Sequence, residues 1–120
     1  MKKITLSVTQ RHDNKYESIF GTVIAPELLL TPDALEKIAS RILEKKLSTV
    51  SEKTWDRLVL PVNTIGNLSD YKYNVELELV VTGLTVATLA IVKAAMSLVR
   101  HCTCLHYDKD SNTYYKQKMF

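Results

Sequence analysis

The stretch Tyr71-Lys72-Tyr73-Asn74-Val75-Glu76-Leu77-Glu78-Leu79-Val80-Val81, closed by Thr82-Gly83, decides how this chain is read. Tyr71, Tyr73, Val75, Leu77, Leu79 and Val81 alternate with Lys72, Asn74, Glu76 and Glu78, and only Val80 interrupts the period of two. That alternation is the pattern of a strand with one buried and one polar face. Immediately after it, Thr85 is placed to cap a helix that the sequence carries to about Val99 or Arg100. Its apolar residues, among them Val86, Ala87, Leu89, Ile91, Val92, Met96 and Leu98, cover almost the whole circumference. A helix that is apolar all round must be buried all round. A single sheet covers one face of it, and each large side chain left in water forgoes about 1.5–3 kcal/mol. The sequence therefore predicts that a second copy of the same helix completes the cover.

Before this core, Ile4, Leu6 and Val8 alternate with Thr5, Ser7 and Thr9 and predict a first strand. The polar run Arg11-His12-Asp13-Asn14-Lys15 breaks that pattern, and Tyr16 to Ala25 resumes it, so the two runs read as a hairpin. Gly21 within the second run marks a bulge or a close approach to the backbone. Thr31, Pro32 and Asp33 form a helix start, with a capping hydroxyl, a proline suited to the first turn and a carboxylate at the positive end. Leu35, Ile38, Ala39, Ile42, Leu43 and Leu47 follow at helical spacing and make this helix amphipathic. Residues 48–69 show no sustained period and read as a connector with a short strand over Arg57 to Leu60. At the other end, His101 to Tyr107 and Thr113 to Phe120 flank the turn Asp108-Lys109-Asp110-Ser111-Asn112, a hairpin signal. The whole reads as a single α+β domain over residues 1–120, with a mainly antiparallel sheet, one amphipathic helix and one nearly all-apolar, intersubunit helix.

Composition bounds the function classes. The chain has 120 residues, 46% of them apolar and 24% charged, with net charge +3 and pI about 8.8. One modest core fits this length. The mild basicity falls short of a dedicated binder of long nucleic acid but leaves small anionic ligands open. Met1-Lys2-Lys3 is not followed by an apolar run of signal-peptide type, and the stretch from Leu84 to Val99 is too short and too polar to span a bilayer, so a cytoplasmic protein with no membrane partner is expected. Cys102 and Cys104, two apart, read as reduced thiols.

His101-Cys102-Thr103-Cys104-Leu105-His106 carries metal-ligand residue types. On a strand, however, Cys102, Cys104 and His106 stand about 6.5–7 Å apart in succession, whereas zinc needs ligands about 2.0–2.3 Å away, so no metal is expected. Nothing singles out a nucleophile with its base, and Gly21, Gly66 and Gly83 do not form a phosphate loop. Glu36, Glu44, Glu76 and Glu78 read as solvated faces. What recurs is a cation beside an aromatic ring: Arg11 and His12 before Tyr16, Trp55 before Arg57, Tyr71-Lys72-Tyr73, and Tyr107-Asp108-Lys109 ahead of Tyr114-Tyr115-Lys116. Rings stack nucleobases and cations grip phosphate, a combination that suits a small nucleotide.

The segments Leu6-Ser7-Val8-Thr9-Gln10-Arg11-His12-Asp13-Asn14, with Tyr16 and Ser18-Ile19-Phe20-Gly21-Thr22-Val23, and the apolar helix after Thr82-Gly83-Leu84-Thr85 together resemble the first family of Thoeris anti-defence proteins of phages. The resemblance covers most of the chain and lies in element order and general character. It implies a sponge that binds cyclic ADP-ribose-type immune signals, and in some members cyclic oligonucleotides, without cleaving them. It also implies a homo-oligomer, dimeric or higher, in the host cytoplasm, with no enzyme activity and no cofactor. Under it, Arg11, His12, Tyr16 and Arg57 are the first ligand-binding candidates, with Trp55, Lys109 and Tyr114 behind them. Two other classes compete: a small nucleotide- or phosphodiester-acting enzyme using His12 or His106 as acid or base, and an oligomeric phage structural or adaptor protein in which the apolar helix is only a seam.

Overall fold

The structure, a computed structural model, describes residues 1–10, 15–21, 24–51, 53–55, 71–82 and 84–120. Its elements run β1 (Lys2–Ser7), α1 (Pro26–Leu29), α2 (Pro32–Ser48), β2 (Lys53–Trp55), β3 (Tyr71–Val80), α3 (Thr85–Met96), β4 (Val99–Asp108) and β5 (Thr113–Lys118). The α+β content expected from the sequence is present. The sheet, however, is mixed and not mainly antiparallel: its order is β1-β3-β4-β5, β1 and β4 both run parallel to β3, and only β2 on β3 and β5 on β4 are antiparallel. The physical reason lies in the connections. A helix follows β1 and another follows β3 before the next long strand begins, and a helical crossover returns the chain in the same direction.

The opening hairpin is likewise replaced. β1 pairs with β3 from Lys2↔Val75 to Ser7↔Val80, and of the expected second strand the residues 15–21 contribute only a parallel bridge, Ser7 to Ser18. Hydrogen bonds from Ser7 N–H to the Glu17 carbonyl and from Ile19 N–H to the Ser7 carbonyl, both 2.9 Å, lay this segment along the end of β1. Gly21 has φ +73°, a conformation open to glycine and strained for other residues. The strand expected over Arg57 to Leu60 lies outside the described residues; a strand is found just before it, at Lys53–Trp55.

α2 follows its sequence signals closely. Pro32 stands in the first turn, Asp33 near the positive end, Lys45 and Lys46 in the last turn, and Leu35, Ala39, Leu43 and Leu47 form its buried stripe. Thr31 occupies the cap position without capping: its hydroxyl donates back to the Glu27 carbonyl at 3.0 Å. α3 ends at Met96 rather than at Val99 or Arg100, and Val99 already opens β4. Its N-cap is Leu84, with no side-chain bond, so Thr85 is the first helical residue rather than the cap.

The cover of α3 also differs from the expectation. α2 lies against it, and Ala87, Ala90, Ile91, Val92, Ala94 and Ala95 share one core with Leu35, Ala39, Leu43 and Leu47 of α2 and with Leu77, Leu79, Cys102 and Cys104 of the sheet. One chain thereby shields all but a stripe at helical spacing, formed by Thr85, Leu89, Lys93 and Met96, with Leu89 55% and Met96 54% exposed. A second copy is not needed to cover this helix.

At the carboxyl ends of the parallel strands, Thr9 and Thr82 tie β1 to β3. Thr9 N–H donates to Thr82 Oγ1 (2.9 Å), Thr82 Oγ1 donates to the Thr9 carbonyl (3.0 Å) and Thr9 Oγ1 donates to the Thr82 carbonyl (3.1 Å). Two consequences are measurable by chemical denaturation. Ile91→Ala, fully buried, should cost about 2–5 kcal/mol, and Leu89→Ala on the same helix should stay within about 0.5 kcal/mol; equal losses would contradict the placement of α3. Thr82→Val, which strips the acceptor from a nearly buried N–H, should cost about 1–3 kcal/mol.

Candidate functional site

Register and alternation divide the sheet into two unlike faces. Leu77, Leu79, Cys102 and Cys104 turn to the helices, and Lys3, Thr5, Glu76, Glu78, Thr103, Leu105, Tyr107, Tyr114, Lys116 and Lys118 turn away from them. That second face carries the cations Lys3, Lys116 and Lys118 and the rings Tyr107 and Tyr114. Glu78 is its most buried carboxylate, 8% exposed, rather than a solvated one. Thr5 Oγ1 donates to its Oε1 at 3.0 Å, and Lys3 and Lys116 place their Nζ atoms 3.4 and 3.9 Å from its Oε2. Pairing sets this cluster: β1 and β3 put Thr5 opposite Glu78, and β5 brings Lys116 in across β4.

β4 and β5 continue past the end of β3, whose last residue Val80 pairs with Leu105. On this extension Tyr107 faces Tyr114, with ring centroids 5.4 Å apart in a T-shaped arrangement, and the Tyr107 hydroxyl donates to Asn112 Oδ1. Lys116 and Lys118 follow Tyr114 on the same face at two-residue steps. The turn is tight and ordered by Asp108, whose carboxylate accepts from the Ser111 hydroxyl at 2.7 Å and from the Asp110 N–H at 3.2 Å, while Asn112 takes φ 53°. Those two donors, the Ser111 hydroxyl foremost, hold the Asp108 carboxyl below its usual range.

The sequence-predicted site residues do not gather in one place. Arg11, His12 and Arg57 lie outside the described residues. Tyr16 stands in the segment beside the end of β1, with Lys15 Nζ 5.6 Å from its ring centroid. Lys109 is exposed in the β4–β5 turn and Tyr114 is exposed on β5. Trp55, by its backbone, pairs with Tyr71 at the opposite end of β3. Ten residues of strand, on the order of 30 Å, separate it from the tyrosine pair, so Trp55 and Tyr114 of one chain do not share a small-ligand site. The sequence does not single out Lys3, Thr5 or Lys118 for this face, and it reads Glu78 as solvated where the structure buries it. Their parity within each strand was readable, but which strands lie side by side was not.

Other chemistry-bearing groups are accounted for locally. His106, on the helix side of β4 beyond the cover of α3, stacks on Tyr115 with centroids 5.1 Å apart and has Nε2 2.8 Å from Gln117 Oε1. Cys102 and Cys104 are buried under α3 as free thiols. The hydrogen bond with Cys104, and then burial, push the Cys102 thiol far above the ordinary thiol range. A cleft of about 540 Å³ opens between β1 and the last turns of α2, lined by Ile4, Ile42, Lys45, Lys46 and Glu17 among others. Two of its charges are already engaged with each other, Lys46 with Glu17, and it contains no ring to stack a base. The face of the β4–β5 hairpin turned away from α2 and α3 is therefore the candidate site. No helix among the described residues is long and apolar enough to cross a membrane.

Comparison of the chain with protein-family models, with curated proteins and with solved structures finds no match.

Two tests follow from this geometry. A charged aromatic disulfide at pH 8 should leave both thiols unmodified in the folded protein and titrate both after denaturation; rapid labelling of the native protein would contradict their burial. A titration of the Asp108 carboxyl followed by NMR should give a value below 3.8, and Ser111→Ala should move it upward. Because its folded value is depressed, the carboxylate supports the turn above its unfolded value and loses that effect as pH falls through the folded one.

Proposed function

We propose that this chain binds a small cyclic nucleotide of the cyclic ADP-ribose type on the face of its β4–β5 hairpin turned away from α2 and α3, and holds it without cleaving it. A phage-encoded homo-oligomer acting this way in the host cytoplasm would keep the signal from antiphage defence. The observation that carries the reading is the line Tyr107/Tyr114, Lys116, Lys118 on one sheet face, with Lys109 at the adjoining turn. Exposed rings stack a base and successive ammonium groups neutralise phosphate, and both modes tolerate any base because every base has a π-face. Stacking and charge neutralisation retain a ligand; neither breaks a bond. Glu78 limits how many of the cations are free, since it holds Lys3 and draws on Lys116. The choice of cyclic ADP-ribose among nucleotides, and of sequestration as the outcome, rests on the resemblance of residues 6–23 and 82–99 to the anti-defence family.

A thermal-shift screen against cyclic ADP-ribose isomers and cyclic di- and trinucleotides tests it, followed by denaturation and recovery of the ligand. A ligand at 100 times its Kd should add about 2.7 kcal/mol and be recovered intact. Tyr114→Ala should weaken binding by about 1–3 kcal/mol if that ring stacks a base, and Lys116→Ala should weaken it in a salt-dependent way. Absence of any shift would contradict binding, and recovery of a cleaved product would contradict sequestration in favour of an enzyme.

A further inference from the structure

Among the described residues β5 is hydrogen-bonded to β4 alone, along one side, and all six of its residues are exposed. The far edge of the sheet is different: residues 17–20 bond to the end of β1 through Ser7 and Val8. A free strand edge offers a row of unpaired N–H and C=O groups to another strand. β5 carries neither proline nor bulge, and its register on β4 is continuous from Thr103↔Lys118 to Asp108↔Thr113. Such an edge is open to pairing along its whole length.

From these features we infer that β5 is the edge on which a second copy of this chain docks, antiparallel, about a two-fold axis through Tyr115. This deepens the homo-oligomer of the proposed function by naming its surface, and it moves that surface from α3 to β5. A two-fold axis normal to the sheet keeps each face on its own side, so directly opposed residues share parity and the axis passes through a residue. With the axis at Tyr115, Thr113 meets Gln117 of the second copy, Tyr114 meets Lys116 of the second copy, and Tyr115 meets itself. Cross-strand ring–ring and ring–cation pairs are favourable contacts. With the axis at Lys116, the ammonium would oppose its own copy, which is unfavourable. Lysines on an edge ordinarily discourage pairing; here they select one register. The fit is of the strand with itself, which is why the partner is a second copy and not an unrelated strand.

On the side facing the helices, the His106–Tyr115 stack then continues into the same stack of the second copy. On the other side, each Tyr114 lies beside a lysine of the second copy, so the two hairpin faces join into one surface.

The test uses single cysteines in the full chain, where Cys102 and Cys104 are buried and silent. Directly opposed residues of an antiparallel pair have Cα atoms about 4.5–5.5 Å apart, within reach of a disulfide. Oxidation of Tyr115→Cys should give a covalent dimer, and Lys118→Cys, which is displaced along the strand from its own copy, should stay unlinked. Sedimentation of the unmodified chain should give twice 13.6 kDa, and Lys116→Pro, at a position whose N–H points away from β4, should give a monomer with unchanged circular dichroism. A dimer that fails to link through position 115, or that links as readily through position 118, overturns the β5 edge while leaving self-association standing. A monomer at every concentration overturns both.

Discussion

The packing of α3 against α2 and β4, in one core with β3, is the contact on which the rest of this structure depends. α3 supplies few polar atoms of its own, and its residues Ala87, Ala90, Ala94 and Ala95 are buried in one core with α2 and the sheet. That packing draws β4 in parallel to β3 directly after the helix, and it leaves β3 with neighbours on both sides. The Thr9–Thr82 bonds then fix the carboxyl ends of β1 and β3, and β4 carries β5 beyond them. Core, sheet order and the position of the candidate site are thus consequences of one packing arrangement.

Much of this was legible in the sequence wherever the signal was local. The alternation over Tyr71–Val80 and the stripe of Leu35, Ala39, Leu43 and Leu47 gave β3 and α2 nearly to the residue. The final hairpin was legible too, because Asp108 to Asn112 is turn chemistry between two β-rich runs. Partner choice was not. Alternation says that a segment is a strand and is silent on which strand lies beside it, so β1 was assigned to its sequence neighbour instead of to β3. The cover of α3 failed for the same reason, since a helix's own residues do not say that another helix closes on it. The residues at 98 and 99 kept the apolar character of α3 while already turning into β4.

The candidate site was half legible. Tyr114 and Lys109 were found from the recurrence of rings beside cations, and Tyr107 and Lys116 stood in the same motif. Glu78 was read as solvated because period two turns it away from the core, yet Lys3, Thr5 and Lys116 close around it from three different strands. Trp55 was grouped with Tyr114 by residue type alone, and the length of β3 keeps them apart. A face is assembled from parity within each strand and order between strands, and only the first of these can be read from one sequence.

The central claim is that β3, buried in the shared core and flanked by β1 and β4, is the last part of the chain to open. Residue-resolved hydrogen exchange, recorded at a dilution where the protein is monomeric, tests this most directly. The account predicts that the amides of Leu77 and Leu79 exchange only through global unfolding, while those of Tyr114 to Lys118 exchange orders of magnitude faster. Exchange of β3 at the rate of β5 in that monomer would contradict it, and would show that the core is not closed within one chain.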